Sequence, residues 1–458
     1  MSPHSTALSY TKTINPLTPS TGLSAAFGLL LYAMMAAAAL VPSVQTPEIN
    51  AAELLINAKE ITLLFVSLLA LFLHIRTRAS CDVPRIASHT VTAVALYLWY
   101  SLTSVAWTDA DHACVMAQCV ISVLVVCSIY LPYAYVRMNT VANLKRAVAW
   151  SMLLFTAICC IYTAESLFSL GLRSAVAANL DPLVGIVRVK GPLFAASLGY
   201  LLIIPGIAYF SDTSICSFRA VIRYCCVFCL VVTLLASASR GGLICLSLFC
   251  ILSLRYSMAL KGHILNLLML FVLVGLGAWY ASTYISRDRF LTLKDVRTSF
   301  YQTAIDVIVD RPLAAAIAGT GIASIWPYAY FDQQMRRNTP QLASMTTRAG
   351  QLSAATSYYH PHSVPLYLTG EYGLFGLLLF GAYAAFVLKL YKAAVSARHS
   401  VIFCCGLSIA LPACFLDLFF LHNQNVGVLW WFWAFSALIF TAQPQYRHTP
   451  RYLRIVRR

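Results

Sequence analysis

The sequence contains few charged residues, and acidic ones are the scarcest. Only 10% of its 458 residues are Asp, Glu, Lys or Arg, whereas 60% are hydrophobic and the mean hydropathy is +0.75. Soluble enzymes and disordered tails do not have this composition, so both classes are excluded. The apolar runs extend over about twenty residues and do not alternate in short segments, which excludes an outer-membrane barrel. The chain is therefore predicted to be an integral helical membrane protein.

Several motifs that carry chemistry are also missing. The chain has 15 cysteines, but no Cys-x-x-Cys pair lies near histidines at zinc-ligand spacing. No glycine-rich phosphate loop occurs, and no internal repeat is convincing, which argues against a transporter built on inverted repeats. We therefore expect no metal site, no disulfide scaffold, no cofactor, no nucleotide hydrolysis and no nucleic-acid partner.

Hydrophobic runs long enough to cross a bilayer number about twelve. They lie near residues 22–41, 57–74, 88–107, 113–136, 147–170, 192–210, 218–237, 241–256, 263–284, 363–391, 400–420 and 424–442. The predicted fold is all-α, a polytopic bundle of about 12 transmembrane helices with one long outer loop that contains amphipathic helices. Residues 1–284 hold spans one to nine, 285–362 the loop, 363–443 spans ten to twelve, and 444–458 a basic tail.

The basic residues set the orientation. The first span is interpreted as retained and not as a cleaved signal peptide, so both termini lie on one side. Threading the spans with the termini inside assigns nineteen of the 32 Lys and Arg residues to the inner side and five to short outer loops. This asymmetry follows the positive-inside rule and predicts cytoplasmic termini. The remaining eight lie in the long loop, namely Arg287, Arg289, Lys294, Arg297, Arg311, Arg336, Arg337 and Arg348.

An amphipathic helix is predicted within the loop at residues 297–310. Its apolar side would carry Phe300, Ala304, Ile305, Ile308 and Val309. Pro312 would end it, and the helix is expected to lie over the bundle.

Three arginines stand at the predicted outer ends of helices: Arg188 before span six, Arg240 before span eight, and Arg297 at the start of the loop helix. Each could simply anchor a helix end at lipid head groups. Guanidinium groups also stay charged and offer paired donors to phosphate oxygens, so three together would suit a diphosphate. Gly241 and Gly242 permit close backbone approach, and the start of span eight would present N–H groups to an anion.

The loop re-enters the membrane in a histidine-rich stretch. His360 and His362 lie two residues apart across a proline, a spacing unlike a helical two-histidine metal pair. A neutral imidazole there could accept a proton from an attacking hydroxyl. Glu371 would then either orient His362 or cap a helix.

The order of these motifs resembles that of the bacterial O-antigen ligases and of the wider O-antigen ligase/polymerase superfamily. The resemblance runs from about residue 188 to residue 433. It comprises Arg-x-x-Gly from Arg188, Ser-Arg-Gly from Ser239, Arg311-Pro312, Gly-Thr-Gly at Gly319 to Gly321, and the His-rich re-entry followed by Leu366, Glu371 and Gly373. It implies a membrane glycosyltransferase C type fold and no metal requirement.

The resemblance also implies an activity. A glycan would be transferred from undecaprenyl diphosphate to a sugar hydroxyl of lipid A-core, at the periplasmic face of the inner membrane of a Gram-negative bacterium. His362 matches the functional second histidine and would be the base in a single inverting displacement, with Arg188, Arg240 and Arg297 binding the diphosphate. Ser363 stands where many relatives have Asn, so no amide role is assigned there.

Further substrate contacts are assigned to Lys190, His360, Glu371, Arg289, Arg336, Arg337 and Arg348. The loop arginines among them are expected to meet lipid A or core phosphates, or else to form only a solvated face. Besides the two substrates, the bilayer lipids are the expected partners.

Three alternatives remain open at the level of sequence. A polymerase of the same superfamily would use a second lipid-linked repeat as acceptor, and a protein O-oligosaccharyltransferase would use Ser or Thr. A flippase or proton-coupled transporter, from a different class, should place ionisable groups and broken helices at mid-membrane.

Overall fold

The computed structural model describes a discontinuous set of residues. These are 81–108, 112–169, 200–236, 239–257, 311–323, 362–416 and 424–442, with 301, 302, 304, 305, 308, 309 and 421. All regular elements in this part of the chain are helical and none of its residues forms a strand. The predicted all-α class is thus confirmed there.

The helices are numbered here in chain order. They are α1 (Arg85–Thr103), α2 (His112–Met138), α3 (Val141–Ser169), α4 (Tyr200–Ser211), α5 (Ala220–Ala236), α6 (Arg240–Ser257), α7 (Leu313–Ala318), α8 (Val364–Ala397), α9 (Val401–Ser408), α10 (Ala410–Ala413) and α11 (Gln424–Ala442). A short 3₁₀ turn, Ser104–Ala106, continues α1.

Helices coincide with predicted spans three to eight and ten to twelve, whereas spans one, two and nine lie outside the described residues. Within the described ranges, three helical segments are long and apolar enough to cross a membrane, namely Gln118–Met138, Val141–Ile161 and Val364–Ala397. Other apolar helices are shorter, and predicted span eleven is divided between α9 and α10.

Residues predicted to lie in outer loops, or in the outer halves of spans ten and eleven, contact one another. The Thr108 hydroxyl, after α1, donates to the carbonyl of Ile322 in the loop (2.8 Å). At the start of α8, the Val364 amide donates to the carbonyl of Cys414 after α10 (2.7 Å). We call this end of the bundle the outer end.

Residues predicted to lie on the inner side meet at the opposite end. The Cys81 amide donates to the carbonyl of Arg137 at the end of α2 (3.1 Å). Asp212, buried after α4, accepts hydrogen bonds from the amides of Ser214 (3.0 Å) and Phe403 (3.2 Å). A carboxylate that accepts several N–H groups satisfies backbone donors at the start of α9.

Helix α11 runs through the core of the described bundle. Trp430, Trp431 and Trp433 are fully buried in it, and the Trp433 indole donates to Ser151 Oγ of α3 (3.0 Å). The Trp431 ring lies 5.2 Å from that of Phe386 in α8, at a tilted angle favoured by aromatic pairs. A helix buried on all sides explains why this segment shows no polar face.

Small residues permit close helix contacts elsewhere in the bundle. A Cβ placed on Gly406 of α9 would lie 2.4 Å from the Ala208 Cβ of α4. Close approach at small residues is the usual basis of helix association in membranes, where lipid offers no hydrophobic drive for packing.

The prediction of which side of the loop helix packs against the bundle is only partly correct. The described residues of 301–309 are helical, and Ala304 is buried as expected. Ile305 and Val309, which were predicted to lie on the packed side, are instead 47% and 71% exposed. The small alanine allows the close contact, while the branched side chains point away from the protein, as they can at a lipid interface.

Candidate functional site

His362 lies at the outer end, immediately before α8. Its φ of +43° is a left-handed conformation that non-glycine residues seldom adopt, at a cost of about 1–3 kcal/mol. The Tyr301 hydroxyl, from the loop helix, donates to the His362 carbonyl (3.5 Å) and to that of Phe415 (2.8 Å). Ser363 is the extended N-cap residue, and its side chain makes no capping hydrogen bond. Tyr301 thus connects the strained residue to the loop helix and to the segment after α10.

Glu371 is fully buried in α8, well inside the helix, so it is not a cap residue. Tyr367, one turn earlier, donates its hydroxyl to Glu371 Oε2 (3.2 Å) and accepts a hydrogen bond from Gln118 Nε2 of α2. The next residue, Tyr372, contacts α1, since its hydroxyl lies 3.1 Å from Ser101 Oγ. Burying a carboxylate costs free energy unless it is hydrogen-bonded, so the hydrogen bond from Tyr367 stabilises Glu371 in the interior.

Helix α8 is kinked at Gly373, where φ is +58° and ψ is −139°. The loop segment 311–323 docks at this kink, because the Gly321 amide donates to the carbonyl of Glu371 (3.3 Å). No side chain fits between the two backbones. A Cβ on Gly319 would lie 2.3 Å from the Glu371 carbonyl oxygen, and one on Gly373 would lie 2.6 Å from the Gly319 nitrogen. We call this backbone contact the glycine clamp.

Arg311 was not selected as a site residue from the sequence, but the structure places it near Glu371. Its side chain is partly buried, and both Nη1 and Nη2 are inaccessible to solvent and make no hydrogen bond. Burial lowers the pKa of Arg311, and the charge of Glu371 raises it. The sequence marked Arg311 only as part of the Arg-Pro element of the family resemblance, which by itself assigns no role to the arginine.

Arg240 is the first residue of α6, at the outer end. The preceding Ser239 acts as N-cap, since its Oγ accepts the Gly242 amide (3.1 Å). Gly242 serves packing, because a Cβ there would lie 2.9 Å from the Leu234 side chain and 3.1 Å from the Cβ of Tyr200. The Gly242 amide is therefore not free to bind an anion at this helix start. The absence of a side chain at Gly242 is explained by its close contact with Leu234 and Tyr200.

The other predicted site residues lie outside the described part of the chain. They are Arg188, Lys190, Arg289, Arg297, Arg336, Arg337, Arg348 and His360. Among the residues described, no group of three or more His, Cys, Asp or Glu side chains could hold a metal ion. What the structure brings together at the outer end is His362, the loop segment 311–323 and the outer third of α8.

An apolar crevice of about 500 Å³, counting its open part, lies next to this polar cluster. It lies between α1, α2, α8 and α11, and its lining includes Tyr97, Val125, Leu368, Phe380 and Trp431. Tyr97 links it to the cluster, since its ring lies 5.3 Å from that of Tyr372. Such a lining suits a hydrocarbon chain and offers almost no polar contact.

Comparison with known families matches residues 225–381 to the family described as O-antigen ligase. The matched segment includes Arg240, Arg311, His362, Glu371 and Gly373, so it spans the cluster at the outer end. The resemblance derived from the sequence is thereby confirmed. A search of curated proteins found no match.

Proposed function

We propose, because residues 225–381 match the O-antigen ligase family, that the chain is a member of this family and transfers a glycan from undecaprenyl diphosphate to a sugar hydroxyl of lipid A-core. The observation that carries the proposal is the position of His362 at the outer end, in contact with Tyr301 of the loop helix and within the matched segment. We further propose that this end faces the periplasm of a Gram-negative cell and that the protein resides in the inner membrane.

The reaction needs three contributions from the protein. Diphosphate is already a good leaving group, so charge stabilisation at its oxygens, a base for the acceptor and alignment of two lipid substrates are sufficient. We assign the first to Arg188, Arg240 and Arg297, because a guanidinium offers two parallel donors to phosphate oxygens. The crevice beside Tyr97 is a suitable place for part of the prenyl chain.

His362 is the proposed general base. Its Nδ1 is buried, so Nε2 is the atom that we assign to receive the acceptor proton. The bond from acceptor oxygen to the anomeric carbon forms as the bond to diphosphate breaks, and the configuration inverts because no covalent intermediate intervenes. The left-handed backbone at His362 is consistent with this role, because strained conformations cluster at sites where geometry matters.

The test uses purified protein in detergent with lipid-linked glycan and lipid A-core, read on a gel for a ligated ladder. His362→Ala should slow transfer about 10²- to 10⁴-fold, the range for loss of a general base. Its matched control is His399→Ala, which removes a histidine just beyond the inner end of α8 and should leave turnover intact. Arg240→Ala should abolish transfer, with the exposed inner-end Arg85→Ala as control.

The products separate the alternatives. Wild-type turnover by His362→Ala or Arg240→Ala would remove that residue from the scheme. Growth of the donor glycan without lipid A-core would indicate a polymerase, and glycan on a Ser or Thr peptide would indicate a protein O-oligosaccharyltransferase. Uptake into vesicles with no covalent product would replace the proposal with a transporter.

A further inference from the structure

Arg311 carries charge and hydrogen-bond donors that the protein itself does not use. Nη1 and Nη2 of its guanidinium are inaccessible to solvent and have no hydrogen-bond partner. More than nine in ten buried polar groups in native proteins are paired, and a guanidinium presents five N–H donors. Two unpaired buried nitrogens on a permanent cation therefore call for a ligand.

The position of Arg311 is fixed by its surroundings. It directly precedes Pro312 and α7, and α7 packs on α8. After α7 the glycine clamp attaches the segment to the backbone of Glu371. The Ile322 amide then donates to Ser104 Oγ (3.0 Å), which attaches the segment to α1 as well. The backbone that follows Arg311 is thus attached at two points, which reduces the ordering that this segment would need when a ligand binds.

Glu371 compensates the charge of Arg311 without occupying its donors. The two side chains interact electrostatically, but no hydrogen bond reaches Nη1 or Nη2. The carboxylate instead accepts the Tyr367 hydroxyl (3.2 Å). Glu371 thus makes burial of the cation tolerable and leaves Nη1 and Nη2 of Arg311 without a hydrogen-bond partner, so an anion that displaces the covering groups would meet two unused donors.

We propose that Arg311 binds a phosphoryl oxyanion of a lipid substrate and that Glu371 is its positioning residue. This inference rests on the proposed function for the identity of the lipid. The planar fork matches phosphate oxygens with two parallel hydrogen bonds, a geometry that lysine cannot reproduce. The phosphoryl group belongs either to the prenyl diphosphate of the donor or to the phosphates of lipid A-core, and kinetics with each substrate distinguishes the two.

The first measurement compares Arg311→Gln with the wild type in the transfer assay. The KM of one substrate should rise about 10- to 100-fold, because a hydrogen-bonded charge pair is lost. A rise confined to lipid-linked glycan assigns the donor diphosphate, and a rise confined to lipid A-core assigns the acceptor phosphates. Arg311→Lys should recover only part of the loss. Arg85→Gln, an exposed arginine at the inner end, should behave as wild type.

The second measurement separates ligand binding from a structural role. Loss of the cation leaves the buried Glu371 carboxylate without compensation and lowers the Tm by itself, so the readout is the change in Tm on adding a ligand. Two pairs of compounds then serve as probes. Farnesyl diphosphate is compared with its unphosphorylated counterpart, and lipid A-core is compared with its dephosphorylated form. The phosphorylated member should raise the Tm of the wild type and not that of Arg311→Gln.

Several results would overturn the inference. Wild-type KM values for both substrates in Arg311→Gln would do so, as would a Tm several degrees lower together with an unchanged response to the phosphorylated probes. Full recovery of activity in the double variant Arg311→Gln/Glu371→Gln would show that Arg311 only neutralises the carboxylate of Glu371. If the wild type fails to transfer glycan, the proposed function fails, and the Tm response to the probes still decides on Arg311.

Discussion

The glycine clamp leads to a sharp prediction for Gly319→Ala. Gly319 has φ +76° and ψ 171°, a region that only glycine occupies readily, and forcing another residue there costs about 1–3 kcal/mol. The added methyl would also lie 2.3 Å from the Glu371 carbonyl oxygen. Overpacking of this kind adds about 1–3 kcal/mol. The two terms together amount to about 2–6 kcal/mol, enough to detach the loop segment from α8.

Gly319→Ala should therefore lose glycan transfer while the rest of the bundle stays folded. Hydrogen exchange is the direct assay, because the amides of Gly321 and Ile322 donate to Glu371 and Ser104 across the contact. Both amides should exchange faster in the variant, whereas amides of α11 should be unaffected.

Gly381→Ala is the matched control in the same helix as the kink. A Cβ at Gly381 meets no atom within 4 Å, so this variant should keep full activity and gain about 0.5–1 kcal/mol from helix propensity. The reasoning would be refuted by Gly319→Ala protein with wild-type transfer and wild-type protection at Gly321 and Ile322.

Two further predictions concern stability and membrane contact. Asp212→Ala removes a buried carboxylate that accepts the Phe403 amide, and it should cost about 2–4 kcal/mol while turnover per folded molecule stays unchanged. A lower Tm with normal kinetics would agree, and an unchanged Tm would not. Leu313 is 76% exposed and Ile317 54% exposed on α7, so Leu313→Trp in vesicles should show fluorescence quenched by lipids brominated in the acyl chain. Quenching by aqueous iodide alone would contradict contact with the bilayer.

Helix positions followed from the sequence because membrane spans need long apolar runs, and the described helices lie where those runs occur. His362 and Glu371 were also identified, since a histidine and a carboxylate stand out in so apolar a chain. Arg311 was not, because its burial arises from contacts between segments far apart in sequence. The exposure of Ile305 was wrongly predicted, since periodicity locates an apolar face but does not say whether protein or lipid covers it.

The glycine clamp is made by main-chain atoms on both sides, and this affects how the site can be studied. Glu371 holds the loop through its carbonyl oxygen, whereas its carboxylate accepts the hydroxyl of Tyr367 in the same helix. Replacement by Gln would alter the second connection and leave the first untouched. A mutational scan that truncates side chains one at a time would thus overlook the attachment of the loop, which can be probed only by adding atoms at Gly319 or Gly373.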